Sequence, residues 1–267
     1  MSSWSSHRRF IYGGSVIVVF TVIVVTTVFS FFYESPTCFD GDKNGDEQGI
    51  DCGGSCVKLC QNAFLSPKIM WGGAKFEKVT EGLYNFASYI ANPNTDVAAI
   101  DVPYKFALFD SKGILITERK GFITLPAHRN TLAFEPAVNV GKRIPAKAIF
   151  EFTAVPEWFK SHDTLGNLAI VDKKYYEDDN NSSLEVTLEN RGLIPYNDII
   201  VYAVLYDSGN NAIGFSRTKI DTIGPKTESS ADWQNNREIA SFTWPIVRQG
   251  KVVSIEVLLT NNPARDK

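Results

Sequence analysis

Residues Phe10–Phe32 read FIYGGSVIVVFTVIVVTTVFSFF, an uninterrupted run without a charged residue. At 1.5 Å of rise per residue, a helix of that length crosses a hydrocarbon core of about 30 Å. Val, Ile and Thr dominate the run, which is poor helix chemistry in water. In lipid the weakness matters little, because a helix satisfies its backbone polar groups internally. A core helix of a soluble domain would normally keep a polar face, and this run has none.

Flanking charge sets the expected orientation. His7, Arg8 and Arg9 precede the run and Glu34 follows it, so residues 1–9 are expected in the cytoplasm and residues 33–267 outside. A secretory signal peptide shares the basic start, but its apolar part is roughly 7–15 residues long. Tyr33-Glu34-Ser35-Pro36 supplies no small-residue cleavage site, and Cys38 lies beyond the run, so no lipoprotein box is present. The expectation is an uncleaved signal anchor: a single-pass protein of the cell membrane, its bulk extracellular or periplasmic.

Charge then narrows the partners. The chain has 27 Lys and Arg against 30 Asp and Glu. Only Arg8 and Arg9 precede the run, leaving 25 basic against 30 acidic residues beyond it, a formal charge of −5. That balance lacks the basic footprint of a nucleic-acid binder.

All four cysteines, Cys38, Cys52, Cys56 and Cys60, crowd into one segment, TCFDGDKNGDEQGIDCGGSCVKLC. Outside a membrane, such a cluster predicts two disulfides, although three pairings are open. Four thiolates could also bind zinc, but the paired C-x2-C knuckles of such sites are missing. The same string overlaps a calcium loop. Asp40, Asp42, Asn44, Gly45, Asp46, Gln48 and Asp51 fall at positions 1, 3, 5, 6, 7, 9 and 12 of the EF-hand series, where alternating oxygens would hold a hard cation. Against calcium stand the charged Glu47 at position 8, Asp in place of Glu at position 12, and no flanking amphipathic helices. A polar, glycine-rich turn braced by disulfides explains the same residues.

Cys38, Asp40, Gly41, Asn44, Gly45, Glu47, Gly49, Asp51, Cys52, Gly53, Gly54, Cys56 and Cys60 form a pattern that resembles a short cysteine-rich module of exported surface proteins. The resemblance implies a surface location and a linker-like role.

From Leu65 onward short apolar runs alternate with Gly, Pro, Asn and Asp. Leu184, Val186 and Leu188 interleave with Glu185, Thr187 and Glu189, the period of a half-buried strand. Ile255, Val257 and Leu259 repeat the pattern, as do Phe150, Phe152 and Ala154. The class is mainly β, with sandwiches favoured. An internal repeat gives the number of domains. YKFALFDSKGILI, residues 104–116, resembles VYAVLYDSGNNAIGF, residues 201–215; Asp110 corresponds to Asp207, Asn92 to Asn190, and Leu125-Pro126 to Gly224-Pro225. In each copy an apolar strand, a DS-G turn and a second strand spell a hairpin.

The pairs Phe106, Leu108, Phe109, Asp110 and Tyr202, Val204, Leu205, Tyr206, Asp207 resemble the F-x-L-Y/F-D hairpin of immunoglobulin-like modules on exported proteins. The resemblance implies two tandem immunoglobulin-like sandwiches at 64–156 and 163–263, behind a cytoplasmic tail at 1–9, a transmembrane helix at 10–32 and a cysteine-rich module at 33–63. Pro156 to Asp163 reads as the linker.

Nothing catalytic emerges. Ser161-His162-Asp163 has the residue types of a triad, but consecutive side chains cannot line up as nucleophile, base and orienter. Ser55-x-x-Lys58 lacks its partner motifs. Glu177-Asp178-Asp179 reads as a solvated loop. The expected function is a non-enzymatic, membrane-anchored cell-envelope component presenting two sandwiches to other envelope or surface proteins, with a surface adhesin or ligand-binding display protein as the alternative. No cofactor is expected unless the loop takes calcium.

Overall fold

A computed structural model describes residues 3–32, 37–60, 64–178, 181–226, 236–245 and 251–261. The apolar run lies in helix α1 (Ser3–Phe32), of which Phe10–Ser30 is long and apolar enough to cross a membrane. None of that stretch is buried against the rest of the chain. Its threonine hydroxyls are satisfied within the helix: Thr21 donates to the Ile17 carbonyl at 2.8 Å, Thr26 to that of Val22 at 2.8 Å, and Thr27 to that of Ile23 at 2.7 Å. Such back-bonding removes the cost of carrying threonine into hydrocarbon.

The remaining elements are strands. The first sandwich contains β1 (Lys68–Ile69), β2 (Lys75–Thr80), β3 (Leu83–Ala91), β4 (Val97–Phe109), β5 (Leu115–Leu125), β6 (Asn130–Asn139), β7 (Lys147–Phe152) and β8 (Phe159–Lys160). The second contains β9 (Leu168–Glu177), β10 (Asn181–Asn190), β11 (Tyr196–Tyr206), β12 (Ala212–Ile223), β13 (Arg237–Pro245) and β14 (Ser254–Thr260). In the first, β3 is flanked by β6 on one side and by β1 and β2 on the other, facing a sheet β5-β4-β7. The second repeats this plan as β13-β10-β9 facing β12-β11-β14. The fold is mainly β, two tandem immunoglobulin-like sandwiches behind an N-terminal helix.

Each sandwich has its own core. Phe86, Phe106, Leu108 and Leu125 fill the first, while Leu184, Leu188, Ile199 and Leu205 fill the second. One side chain fixes the corner of each. Asn92, just after β3, donates from Nδ2 to the carbonyls of Val97 and Pro126, both at 2.9 Å, and accepts from the Asn94 N–H. Asn190, the last residue of β10, donates to the carbonyls of Ile194 and Gly224, both at 2.8 Å, and accepts from the Gly192 N–H. Asn92 is 9% exposed and Asn190 fully buried, so each amide supplies partners to carbonyls that burial would otherwise orphan. The hairpin turns correspond too. Asp110 Oδ1 caps the N–H groups of Lys112 and Ile114, and Asp207 Oδ1 those of Gly209 and Asn211.

Two features depart from a pair of modules on a linker. Residues 157–161 pack onto the first sandwich: β8 pairs with β4, Trp158 lies in the first core, and Phe159 packs on Ala98 and Ala127. More consequential is a third apolar cluster between the sandwiches. Ala87, Tyr89, Leu132 and Phe134, on the outer face of the β3–β6 sheet, meet Tyr202, Val204, Tyr206, Phe215 and Leu258 on the β11–β12–β14 sheet. Four sheets are thereby stacked, and β3 and β11 are covered on both faces. In β11, Ile199, Val201, Ala203 and Leu205 point into the second core, while Tyr202, Val204 and Tyr206 point into this seam. That division accounts for the nearly continuous apolar run of the strand.

Polar bonds fix how the two meet. Glu77 Oε2 accepts the Phe215 N–H across the seam at 3.0 Å. Arg129 grips Asp163 with two parallel bonds, at 2.6 and 2.8 Å. Burial opposes ionisation of Asp163, but the Arg129 bond and the Leu165 N–H outweigh it and lower its pKa.

Candidate functional site

The seam closes along its middle and opens into clefts at its edges. One cleft, of about 630 Å³, is built where β1 turns into β2. Met70 N–H bonds to the Tyr89 carbonyl at 2.8 Å, and Gly73 N–H returns to the Met70 carbonyl at 3.1 Å, closing a tight turn. Its central residues, Trp71 and Gly72, have φ of 59° and 69°. This is a left-handed turn that ordinarily takes Asn-Gly. A tryptophan there costs about 1–2 kcal/mol of backbone strain. Packing holds it: the Trp71 ring centroid is 5.5 Å from Tyr89 and 6.4 Å from both Tyr206 and Phe215.

Behind these rings sits one carboxylate. Glu256 lies on the seam face of β14, and its two oxygens accept separately from the hydroxyls of Tyr89, at 2.7 Å, and Tyr206, at 2.9 Å. Asn130 Nδ2 in turn donates to Tyr89 Oη at 2.9 Å. Burial first, and then the Glu256 carboxylate, raise both phenol pKa values, which keeps the two hydroxyls protonated as donors at neutral pH. The arrangement combines aromatic walls, a fixed anion and space of a size that small-ligand sites occupy.

A second cleft, of about 380 Å³, lies along the seam beside Tyr104, Tyr202, Arg217 and Lys219. Its charges are engaged within the protein. Lys219 pairs with Asp198 at 2.6 Å and with Asp221 at 3.2 Å, and Arg217 lies 5.7 Å from the centre of the Phe134 ring.

The cysteine segment forms a compact collar. Cys38 bonds to Cys56 and Cys52 to Cys60, one of the three pairings that spacing left open. All four sulfurs are therefore disulfide, which removes the thiolates a zinc site needs. Glu47 lies against the Cys38–Cys56 bridge, but those sulfurs are not metal ligands either. The glycines of the motif follow from packing. A Cβ on Gly54, at φ 59°, would run into the Asp46 carbonyl, and one on Gly49 would lie 2.7 Å from Cys52 Sγ. The collar docks on the first sandwich: Leu59 N–H bonds to the Trp158 carbonyl at 2.8 Å, and Lys160 N–H to that of Val57 at 3.3 Å.

Of the candidate calcium ligands, Asp40 and Asn44 are in direct contact, and Asp51 bonds to the backbone beside them. Asn44 Nδ2 donates to Asp40 Oδ2 at 3.0 Å, and Gly41 N–H donates to Asp51. Asp40 also accepts from the N–H groups of Thr37 and Asp42, and these bonds, that of Asn44 foremost, lower its pKa to about 2. Asp46 turns away to accept from Ser55 Oγ at 2.7 Å, and the Gln48 side chain lies against Gly53. Asp42 makes no bond through its carboxylate among those described. The carboxylates of Asp40, Asp46 and Asp51 are thus bonded to protein donors, which hold the loop.

The residues that resembled catalytic motifs are likewise committed to structure. Ser161 is 2% exposed, with its N–H on the Asp96 carbonyl, and Asp163 is held by Arg129. Ser55 bonds to Asp46, while Lys58 pairs with Glu157 at 3.3 Å. Asp178 caps the Asn181 N–H at 2.7 Å, and Asp179 falls outside the described residues. Sequence reading missed the Trp71–Tyr89–Tyr206–Glu256 cleft altogether. Its members lie on three separate strands and a turn, and only the φ of Trp71 marks the spot locally.

No family model and no curated protein matches the chain. Among solved structures it aligns with a β-glucuronidase of glycoside hydrolase family 2 at 9% identity and a TM-score of 0.23, over 64% of this chain and 21% of that one. It aligns with red sea bream transglutaminase at 9% identity and 0.23, over 75% and 29%. For latent PorU of Porphyromonas gingivalis the figures are 10% and 0.24, over 76% and 19%. The chain spans less than a third of each of these proteins, and TM-scores this low carry no argument about its activity.

Proposed function

We propose that this chain is a non-enzymatic, membrane-anchored component of the cell envelope, and that it presents a stacked pair of sandwiches to protein partners outside the membrane. The observation that carries the proposal is the helix Phe10–Ser30, long and apolar enough to cross a membrane, whose residues are exposed among the described residues. An apolar cylinder of roughly 30 Å left uncovered needs a bilayer as its solvent. A disulfide collar beginning at Cys38 supports an oxidising compartment on the side that follows the helix. The proposal needs no cofactor. The basic His7-Arg8-Arg9 before the span supports a cytoplasmic N-terminus.

Protease added to intact spheroplasts should degrade residues beyond the helix and leave a short membrane-embedded fragment. A chain that stays full length under protease, or that high salt strips from the membrane, would overturn the topology.

A second reading, a ligand-binding display protein, is favoured by one observation: the aromatic cleft holding Glu256 at the edge of the seam.

A further inference from the structure

The cleft at Trp71 has a chemistry that selects its ligand. Among the described residues lining it, Glu256 carries the only formal charge, and that charge is negative. Among the described residues, its bonds come from two neutral tyrosine hydroxyls. Those donors fix the carboxylate in place but leave its charge uncompensated. Lys173 is not among the residues lining the cleft, and its ammonium bonds to the Ile255 carbonyl at 3.0 Å. Around the carboxylate stand Trp71, Tyr89 and Tyr206, with Trp71 tilted 51° from Tyr89 and 75° from Tyr206. Three aromatic side chains and one carboxylate thus line a single volume. A cation is attracted by every element of such a wall, whereas an anion is repelled by each.

The backbone supports the same conclusion. A bulky side chain in the left-handed region is strained, and Asn or Gly would adopt φ 59° more readily. Met70, 44% exposed, lines the rim beside it and offers a polarizable edge to an alkyl group.

We infer that this cleft binds a small organic cation, an alkylated ammonium whose charge faces Glu256 and whose methyl groups lie against Trp71, Tyr89 and Tyr206. The inference deepens the ligand-binding reading above and stands apart from the topology, since it concerns the two sandwiches alone.

Choline and its uncharged carbon isostere, 3,3-dimethylbutan-1-ol, separate charge from shape. They should be titrated calorimetrically into the full chain in a polyoxyethylene detergent, with glucose as a neutral polyol. Choline is expected to bind saturably, the isostere at least tenfold more weakly, and glucose not at all. Glu256→Gln keeps the volume and removes the charge, so it should weaken choline at least tenfold while the melting temperature stays within a few degrees. Trp71→Asn should weaken choline as well, while relieving the turn. The wild-type comparison of choline with its isostere needs no variant, so it decides the matter even if Trp71→Asn loosens the seam. Equal binding of the isostere, saturable binding of glucose without choline, no saturation by choline at tens of millimolar, or an unchanged affinity in Glu256→Gln would each overturn the assignment.

Discussion

Leu205→Asp should abolish the folded state of both sandwiches and not merely loosen the second. Leu205 is fully buried in the second core, and its Cδ1 lies 3.0 Å from where a Cβ on Gly214 would stand. Truncating a leucine at such a site costs about 3–5 kcal/mol through lost transfer energy and cavity. An unpaired carboxylate adds several more, and the sum is comparable with the roughly 5–15 kcal/mol total of a typical domain. Because β11 also supplies Tyr202, Val204 and Tyr206 to the seam, its loss uncovers Tyr89, Leu132 and Phe134 of the first sandwich. Limited proteolysis should therefore cut both sandwiches in Leu205→Asp. Protection of the first at wild-type level would show that the seam contributes little.

The neighbouring substitution, Val204→Asp, tests the other face of the same strand. Val204 is also fully buried, but among the seam residues. Side chains one residue apart on a strand face opposite ways, so this change leaves the second core intact and places a carboxylate between the sandwiches. The expected cost is about 2–5 kcal/mol. Its signature is separation without collapse: strand circular dichroism largely retained, with new binding of a hydrophobic dye as the seam faces are exposed. Loss of strand signal equal to that of Leu205→Asp would mean that the two faces are not energetically distinct.

Much of this architecture was legible because it repeats locally. The alternation in Leu184–Leu188 and the matched landmarks Asn92 with Asn190, and Asp110 with Asp207, are each read within a few residues. Each has a local cause in strand period or in a side chain bonding to nearby backbone. The seam was less legible. A run such as Ile200–Tyr206 announces burial on both faces, but periodicity does not say whether the second cover is another chain, a helix or the neighbouring sandwich. Trp158 and Phe159 posed the same difficulty: Pro156 beside them suggests a linker, and only the pairing of β8 with β4 draws them into the first sandwich. The cysteines signalled disulfides through their crowding, yet the pairing depends on how glycines at 49, 53 and 54 let the loop cross itself. The cleft was illegible for a stronger reason. Trp71, Tyr89, Tyr206 and Glu256 are assembled by seam packing, so their proximity exists only once both sandwiches have docked.

That docking, which makes one body from two sandwiches, is the claim from which the cleft follows. Native-state hydrogen exchange of the full chain, read by mass spectrometry along a denaturant series, measures it directly. If the seam holds the sandwiches together, amides of β3 and β6 and those of β11 and β14 should lose protection over the same denaturant range, in one cooperative opening. Two openings, with β3 and β6 released at one concentration and β11 and β14 at another, would show two independent domains that merely touch.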